Sequence, residues 1–336
     1  MDNPAELPPS LTPYVQQGVR VVRESDTISL TTPAAVFPVT GEDARRLDRM
    51  LPFLDGRKSL RDISLVSGLE LDEVRAMVEP LYCEALLGER TDAPVPALLF
   101  YDHARNCGAL WQSLSTWRDP LPELIETGRA DAKLVLGILV EEWQYVASNP
   151  LHASTAVLNA RTPRTRQLWA EFAAEEYPHG SWLEEGLAWV LSRDELRRCR
   201  PLPGTAALCG QLRWVAQSSE LGYAACLALC EQSSESQNAD FQTDYYARLK
   251  QLGVLPDEVF EPYERHALTD IQAGHLDFTR VPFAERGQLE LDERFEVLGH
   301  VWDHVRAYEL FYRNIVEFHG SPDTPRIYSV PGALLD

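Results

Sequence analysis

Between residues 100 and 320, apolar side chains return every three or four positions in seven separate stretches. That spacing puts the apolar residues of each stretch on one face of an α-helix, and such a face must be covered by others like it. The stretches are "CGALWQSLSTW", "DAKLVLGILVEEWQYVAS", "RTRQLWAEFAAEEYPHGSWLEEGLAWVL", "TAALCGQLRWVAQSSELGYAACLALCEQ", "QTDYYARLKQLG", "PDEVFEPYERHALTDIQAGH" and "ERFEVLGHVWDHVRAYELFYRNIV". They predict a mainly α protein built on a seven-helix bundle. Hydrophobic residues make up 45% of the chain and charged ones 24%, which is ordinary for a packed core. At 336 residues there is room for a second domain.

Residues 13–90 follow another pattern. "GVRVVRE" and "TISLTT" are short β-rich runs separated by the polar "SDT". "AVFPV" reads as a third strand, with Pro38 favouring an edge position. The period then changes: Ala44, Leu47, Leu51 and Leu54 fall at helical spacing. Ser59 closes the turn "DGRKS" and is a good N-cap for "LRDISLVSG". Leu71, Val74, Met77, Val78, Leu81 and Leu86 mark the apolar face of a longer closing helix. Strands followed by helices describe a small winged-helix-like α+β domain. The expected division is 1–90 for that domain, 91–98 for a linker with two prolines, and 99–336 for the bundle.

The net charge of −20 repels phosphate backbones. Residues 1–90 carry 10 basic and 15 acidic side chains, which argues against a DNA-reading winged helix. No nucleic-acid partner is expected. No apolar run reaches the roughly 18 residues that cross a bilayer, so no membrane association is expected either. The start, "MDNPAELPPS", lacks the basic and apolar segments of a signal peptide, and the expected location is the cytoplasm. Cysteines 83, 107, 199, 209, 226 and 230 form no CxxC pair and read as reduced core thiols.

Three stretches offer groups that bind metals. Glu141 and Glu142 end an apolar run, where an acidic residue is placed to face the core. Glu176 and His179 stand at i and i+3, the usual two-ligand spacing on one helical face. His266 and Asp270 stand at i and i+4, with His275 beyond a glycine. A competing set is His300, Asp303 and His304 in "HVWDH". Mixed nitrogen and oxygen ligands suit iron or manganese. Trp143, Tyr145, Trp169, Trp182 and Trp189 are candidate dry walls, or simply core. No catalytic acid or base is assigned.

The strand-and-helix pattern of residues 13–88, from "GVR" through "ISLTTPAAVFPV" and "LDGRKSLRDIS" to "VEPLYCEALL", resembles PqqD, the peptide chaperone of pyrroloquinoline quinone biosynthesis. Its family gives its name to the RiPP recognition element, which binds leaders of ribosomally made precursor peptides. The resemblance implies a peptide added as a strand to the sheet edge and packed against the last helix. The implied contacts are Val36, Phe37, Val39 and Thr40 on the strand with Val74 and Val78 on the helix.

The bundle resembles the heme-oxygenase-like superfamily, which includes TenA, the cofactor-free oxidase PqqC and the heme-oxygenase-like diiron oxidases (HDOs). In the iron-dependent branch, glutamates from an early and a middle helix join a His-x3-Asp-x2-His set and a further histidine. The resemblance carries over to Glu142, to Glu176 with His179, and to His266 with Asp270. Asn149 stands where the early helix often carries a histidine, and Ala273 stands at the third place of the later set. On a straight helix His275 faces away from His266, so it joins only where the helix bends near Gly274. The implied cofactor is two iron ions, or manganese, with dioxygen as co-substrate. The implied reaction is oxidative tailoring of a precursor peptide or peptidyl carrier. Two alternatives stand beside it. One is cofactor-free oxidation as in PqqC. The other is oxidation of a free small metabolite, with a vestigial N-terminal domain or one that makes a homodimer.

Overall fold

A computed structural model describes residues 6–128, 131–230, 238–273 and 278–329. The chain divides into two compact units, Met1–Leu114 with Thr279–Trp302, and Ser115–Phe278 with Asp303–Asp336.

The first unit opens with strands β1 (Pro13–Val15), β2 (Arg20–Glu24), β3 (Thr27–Thr31) and β4 (Val36–Thr40), followed by helices α1 (Gly41–Met50), α2 (Leu60–Ser67) and α3 (Leu71–Cys83). β2, β3 and β4 form an antiparallel meander in that order. The "SDT" turn works because Ser25 takes a left-handed φ of 42° in the two-residue connection between Glu24 and Thr27. Ile28 and Leu30 of β3 are buried while their neighbours are half-buried, so one face of the meander covers the core. β4 pairs only with β3 and carries Pro38, as the edge reading expected. Ser59 caps α2 in a reciprocal capping box with Asp62, and Gly68 ends the helix at φ 65°.

β5 (Leu87–Glu89) returns to pair with β1. The stretch 91–98 is built into the structure: β6 (Val95–Pro96) pairs with Gln288–Leu289, and α4 (Ala97–Leu114) begins at once. Val95 and Ala97 are fully buried, which two prolines at a strand end do not prevent. Arg294 is also buried here. It donates to the Glu89 carboxylate and to the carbonyls of Thr91 and Ala93.

The second unit is helical and divides more finely than seven segments. It contains α5 (Leu121–Thr127), α6 (Ala132–Val146), α7 (Asn149–Asn159), α8 (Pro163–Glu176), α9 (His179–Leu187), α10 (Arg193–Arg198), α11 (Pro203–Ser218), α12 (Glu220–Cys230), α13 (Ala239–Gln251) and α14 (Asp257–Ala273). Two predicted stretches split. Pro178 lacks an N–H donor and restricts the residue before it, so one helix ends at Glu176 and the next begins at His179. Ser219 takes extended dihedrals between α11 and α12. α7 was not among the seven, because "NPLHASTAVLN" carries polar residues on the side that packs against α8 and α11.

α9 lies against α14 at backbone contact. A Cβ on Gly186 would sit 2.6 Å from the Val259 carbonyl oxygen. Tyr263 of α14 donates to the Leu139 carbonyl of α6 at 2.7 Å, and Leu183, Leu187, Val259, Phe260 and Tyr263 share one core. This crossing brings the start of α9 to the second half of α14.

Candidate metal centre

Glu176 ends α8 and His179 begins α9, and both are almost completely buried. They flank the Tyr177–Pro178 break rather than sharing one helix. His266 and Asp270 follow each other by one turn on α14 and are mostly buried. The ligand atoms of Glu176, His179 and His266 all lie within 4.8 Å of one another. His179 Nδ1 is 3.4 Å from Glu176 Oε2 and 3.8 Å from Asp270 Oδ1, and His266 Nδ1 is 3.3 Å from Asp270 Oδ2. The two imidazoles meet edge to face at 4.6 Å. Trp182 lies 4.7 Å from the His179 ring and carries the Arg265 guanidinium over its own ring.

Two imidazoles and two carboxylates therefore converge inside the helical core. Burial pushes the Glu176 carboxyl up. Hydrogen bonding from His179 and Asn149 and the charges of His179 and His266 outweigh it, so the group lies below its ordinary value. A buried anion of this kind calls for a counter-charge. His179 Nδ1 is buried without a hydrogen bond of normal geometry. An imidazole nitrogen in that state, beside two carboxylates, fits a divalent cation of the iron or manganese type.

Behind Glu176 stands a chain of polar groups that sequence reasoning missed. Asn149 Nδ2 donates to Glu176 Oε2 at 2.7 Å. Asn149 Oδ1 is 3.2 Å from His152 Nε2, and His152 Nδ1 is 2.6 Å from the Tyr223 hydroxyl. The available signal was the i, i+3 spacing of Asn149 and His152, which aligns them on one helical face.

The other sequence candidates are placed differently. Glu142 lies outside the group of converging ligand atoms. Burial and the nearby Asp119 push its carboxyl up to about 8. Glu141 is fully buried but serves another junction: it accepts from the Leu202 N–H at 2.9 Å and from the Thr205 hydroxyl. His275 lies outside the described residues. The "HVWDH" set does not converge. Asp303 is exposed, His300 Nε2 is 3.7 Å from Glu296, and His304 Nδ1 is 2.8 Å from Gln211 Oε1. Trp169 is buried against Tyr223, whereas Trp189 is exposed and walls nothing. Among the described residues the cysteines at 83, 107, 199 and 209 are free thiols.

On the strand edge, Val36 and Thr40 are exposed and Phe37 and Val39 half-buried. Val74 and Val78 are fully buried and offer no exposed surface. Thr32 N–H bonds Ala35 O, and Gly41 N–H bonds Asp26 O. In an antiparallel ladder, hydrogen-bonded pairs alternate. Phe37 and Val39 therefore spend their backbone groups on β3, while Val36 directs its groups to the open edge; the Thr40 carbonyl caps the start of α1.

Burial pushes His152 down to about 4 and His304 down to about 3, against about 6.5 in an unfolded chain. Each holds a folded value below its unfolded one. Their contribution is complete above about pH 6.5 and is lost as the pH falls through the folded values. Thermal melting of the metal-free chain from pH 7.5 to 4 is expected to show a steady fall in Tm below about pH 6.5. His304→Gln, which keeps a donor for Gln211, is expected to flatten that fall.

No protein-family profile matches the chain, and no curated protein matches it. Solved structures similar to it include the following two. One is a domain of unknown function with a heme oxygenase-like fold from Shewanella denitrificans, 17% identical over 62% of this chain and 87% of that one, with a TM-score of 0.48. The other is a TenA homolog from Pseudomonas syringae, 14% identical over 66% of this chain and 94% of that one, also with a TM-score of 0.48.

Proposed function

We propose that the chain is an oxidoreductase of the heme-oxygenase-like kind that uses dioxygen and holds iron or manganese on Glu176, His179, His266 and Asp270. The convergence of those four side chains from α8, α9 and α14 carries this reading. When bound, the metal supplies redox chemistry with dioxygen. Glu176 and Asp270 balance its charge, and His179 and His266 offer nitrogen donors. Trp182 covers the His179 ring and keeps water from it.

The proposed substrate is a ribosomally made precursor peptide or a peptidyl carrier, engaged by β4. The open edge of that strand supports this, because Val36 turns its backbone groups outward beside an exposed side chain. Binding there raises the local concentration of the peptide. Val36→Pro is expected to weaken binding of a co-encoded precursor by about tenfold, the effect of one or two lost hydrogen bonds. Isothermal titration of the full chain measures it, with Tm unchanged. Val39→Pro would instead break the bond between β4 and β3. Unaltered affinity in folded Val36→Pro removes this edge from the proposal.

Anaerobic loading with ferrous iron or Mn(II), metal analysis, and oxygen uptake with the precursor test the whole reading. Bound metal with peptide-dependent uptake is the expected result. Product made in air by metal-free chain would replace it with cofactor-free oxidation. Uptake with a small metabolite alone would remove the peptide.

A further inference from the structure

The three-stranded meander has a second open edge. β2 pairs only with β3, and Arg20, Val22, Arg23 and Glu24 are exposed along it. The turn decides which backbone groups face outward. A two-residue connection makes Glu24 and Thr27 a hydrogen-bonded pair, so Val22 with Ser29 and Arg20 with Thr31 are bonded as well. β3 agrees with this. Pro38 has no N–H, so its pairing with Ser29 is not a bonded one, and Ser29 turns its groups to β2. Val21 and Arg23 therefore direct their N–H and carbonyl groups away from the sheet.

Charges on an open edge usually keep other strands away. Here they do the opposite. Val21 and Arg23 stand across from the buried Leu30 and Ile28, on the core face of the sheet, and Arg23 pairs with Asp48 of α1 at 2.9 Å. Arg20, Val22 and Glu24 alternate with them and share the outer face. Among the described residues Arg20 and Glu24 form no ion pair within the chain. A second β2 laid antiparallel, Val22 opposite Val22, sets Arg20 of each copy opposite Glu24 of the other. Val21 of each copy then exchanges both backbone bonds with Arg23 of the other. The neighbouring registers are poorer. One sets Arg23 opposite Arg23, and the other leaves Arg20 opposite Val22 and Glu24 opposite Gly18. Opposite charges directly across a strand pair stabilise it, and like charges destabilise it.

We propose that β2 is a homodimer interface: two copies join their β2 strands antiparallel about a twofold axis at Val22, so that their meanders form one continuous sheet. The occupant is a second copy because the strand carries its own complement, Arg20 for Glu24 and Val22 for Val22. β4 lies at the other edge of the meander, beyond β3, and stays open. Five residues a side, against about 20–30 in a standard interface, make a weak dimer that depends on concentration. The inference is independent of the metal and of the peptide.

Sedimentation velocity of the full chain across micromolar concentrations is expected to show a reversible monomer–dimer equilibrium, weakened by salt. Arg20→Glu sets an acid opposite Glu24 at both ends of the strand pair and is expected to weaken association about tenfold. Adding Glu24→Arg to the same chain returns opposite signs to each position and is expected to restore the dimer. That recovery also separates the charge effect from damage to the fold. Val22→Cys tests the register. It places two thiols across the axis in a pair that is not hydrogen-bonded, with Cα atoms about 4.5 Å apart, close enough for a disulfide. Oxidation with diamide is expected to crosslink Val22→Cys into a dimer. Leu65→Cys, an equally simple change on the exposed side of α2, is expected to stay uncrosslinked. A parent that is monomeric at every concentration would overturn the proposal. So would a dimer that ignores the charge reversal, a double variant that does not recover, or Val22→Cys crosslinking no faster than Leu65→Cys.

Discussion

His179→Ala is expected to fold and to lose its metal. The imidazole stands between both carboxylates, 3.4 Å from Glu176 and 3.8 Å from Asp270, so its removal takes away the nitrogen that both face. Glu176, His266 and Asp270 remain, and they offer a single nitrogen donor beside two carboxylates. Affinity should fall by at least about 100-fold, more than the loss of an outer partner produces. Loss of a buried ring against Trp182 should also cost about 1–3 kcal/mol of stability. His304→Ala is the control: its ring belongs to Gln211, and metal content should be unchanged. Metal analysis of the two purified proteins decides the matter, and equal retention in both would move the site elsewhere.

Gly186→Val should be strongly destabilising. The new Cβ would meet the Val259 carbonyl oxygen at 2.6 Å and Pro262 Cγ at 3.1 Å. Neither is a flexible side-chain end, so α9 must move away from α14. Overpacking of this kind costs about 1–3 kcal/mol, and a β-branched side chain against backbone lies at the upper end. Gly186→Ala makes the contrast useful. Its helix propensity favours it by up to about 1 kcal/mol, yet the same contact opposes it. A lower urea midpoint for both variants, with weaker metal binding, is expected. A stabilised Gly186→Ala would mean that the two helices are not held at backbone distance.

Local chemistry was the part the sequence made legible. The edge proline at position 38, the Ser59 cap and the turn at Ser25 were readable because each rests on one or two residues. His266 with Asp270 was readable for the same reason, since a helical turn fixes their relation. Glu142 lies outside the converging group, and consecutive glutamates point about 100° apart on a helix, so only the packed neighbours decide what each one faces. Glu176 and His179 lie close together, but across a corner at Pro178 instead of along one helix. Asn149 looked like a missing ligand. Its partners, Glu176 and Tyr223's neighbour His152, become visible only once α7, α8 and α12 are assembled.

The corner at Pro178 would make the proposed metal centre a fastener. His266 and Asp270 are aligned as soon as α14 forms, but Glu176 and His179 belong to different helices that meet at a bend. An ion gripped by all four would hold that bend shut against α14. The bound state is then more stable than the empty one by an amount that grows with the logarithm of free metal, about 1.4 kcal/mol for each tenfold excess over Kd. With the proposed ion bound, the melting temperature would follow metal supply, and a chelator would act as a mild denaturant.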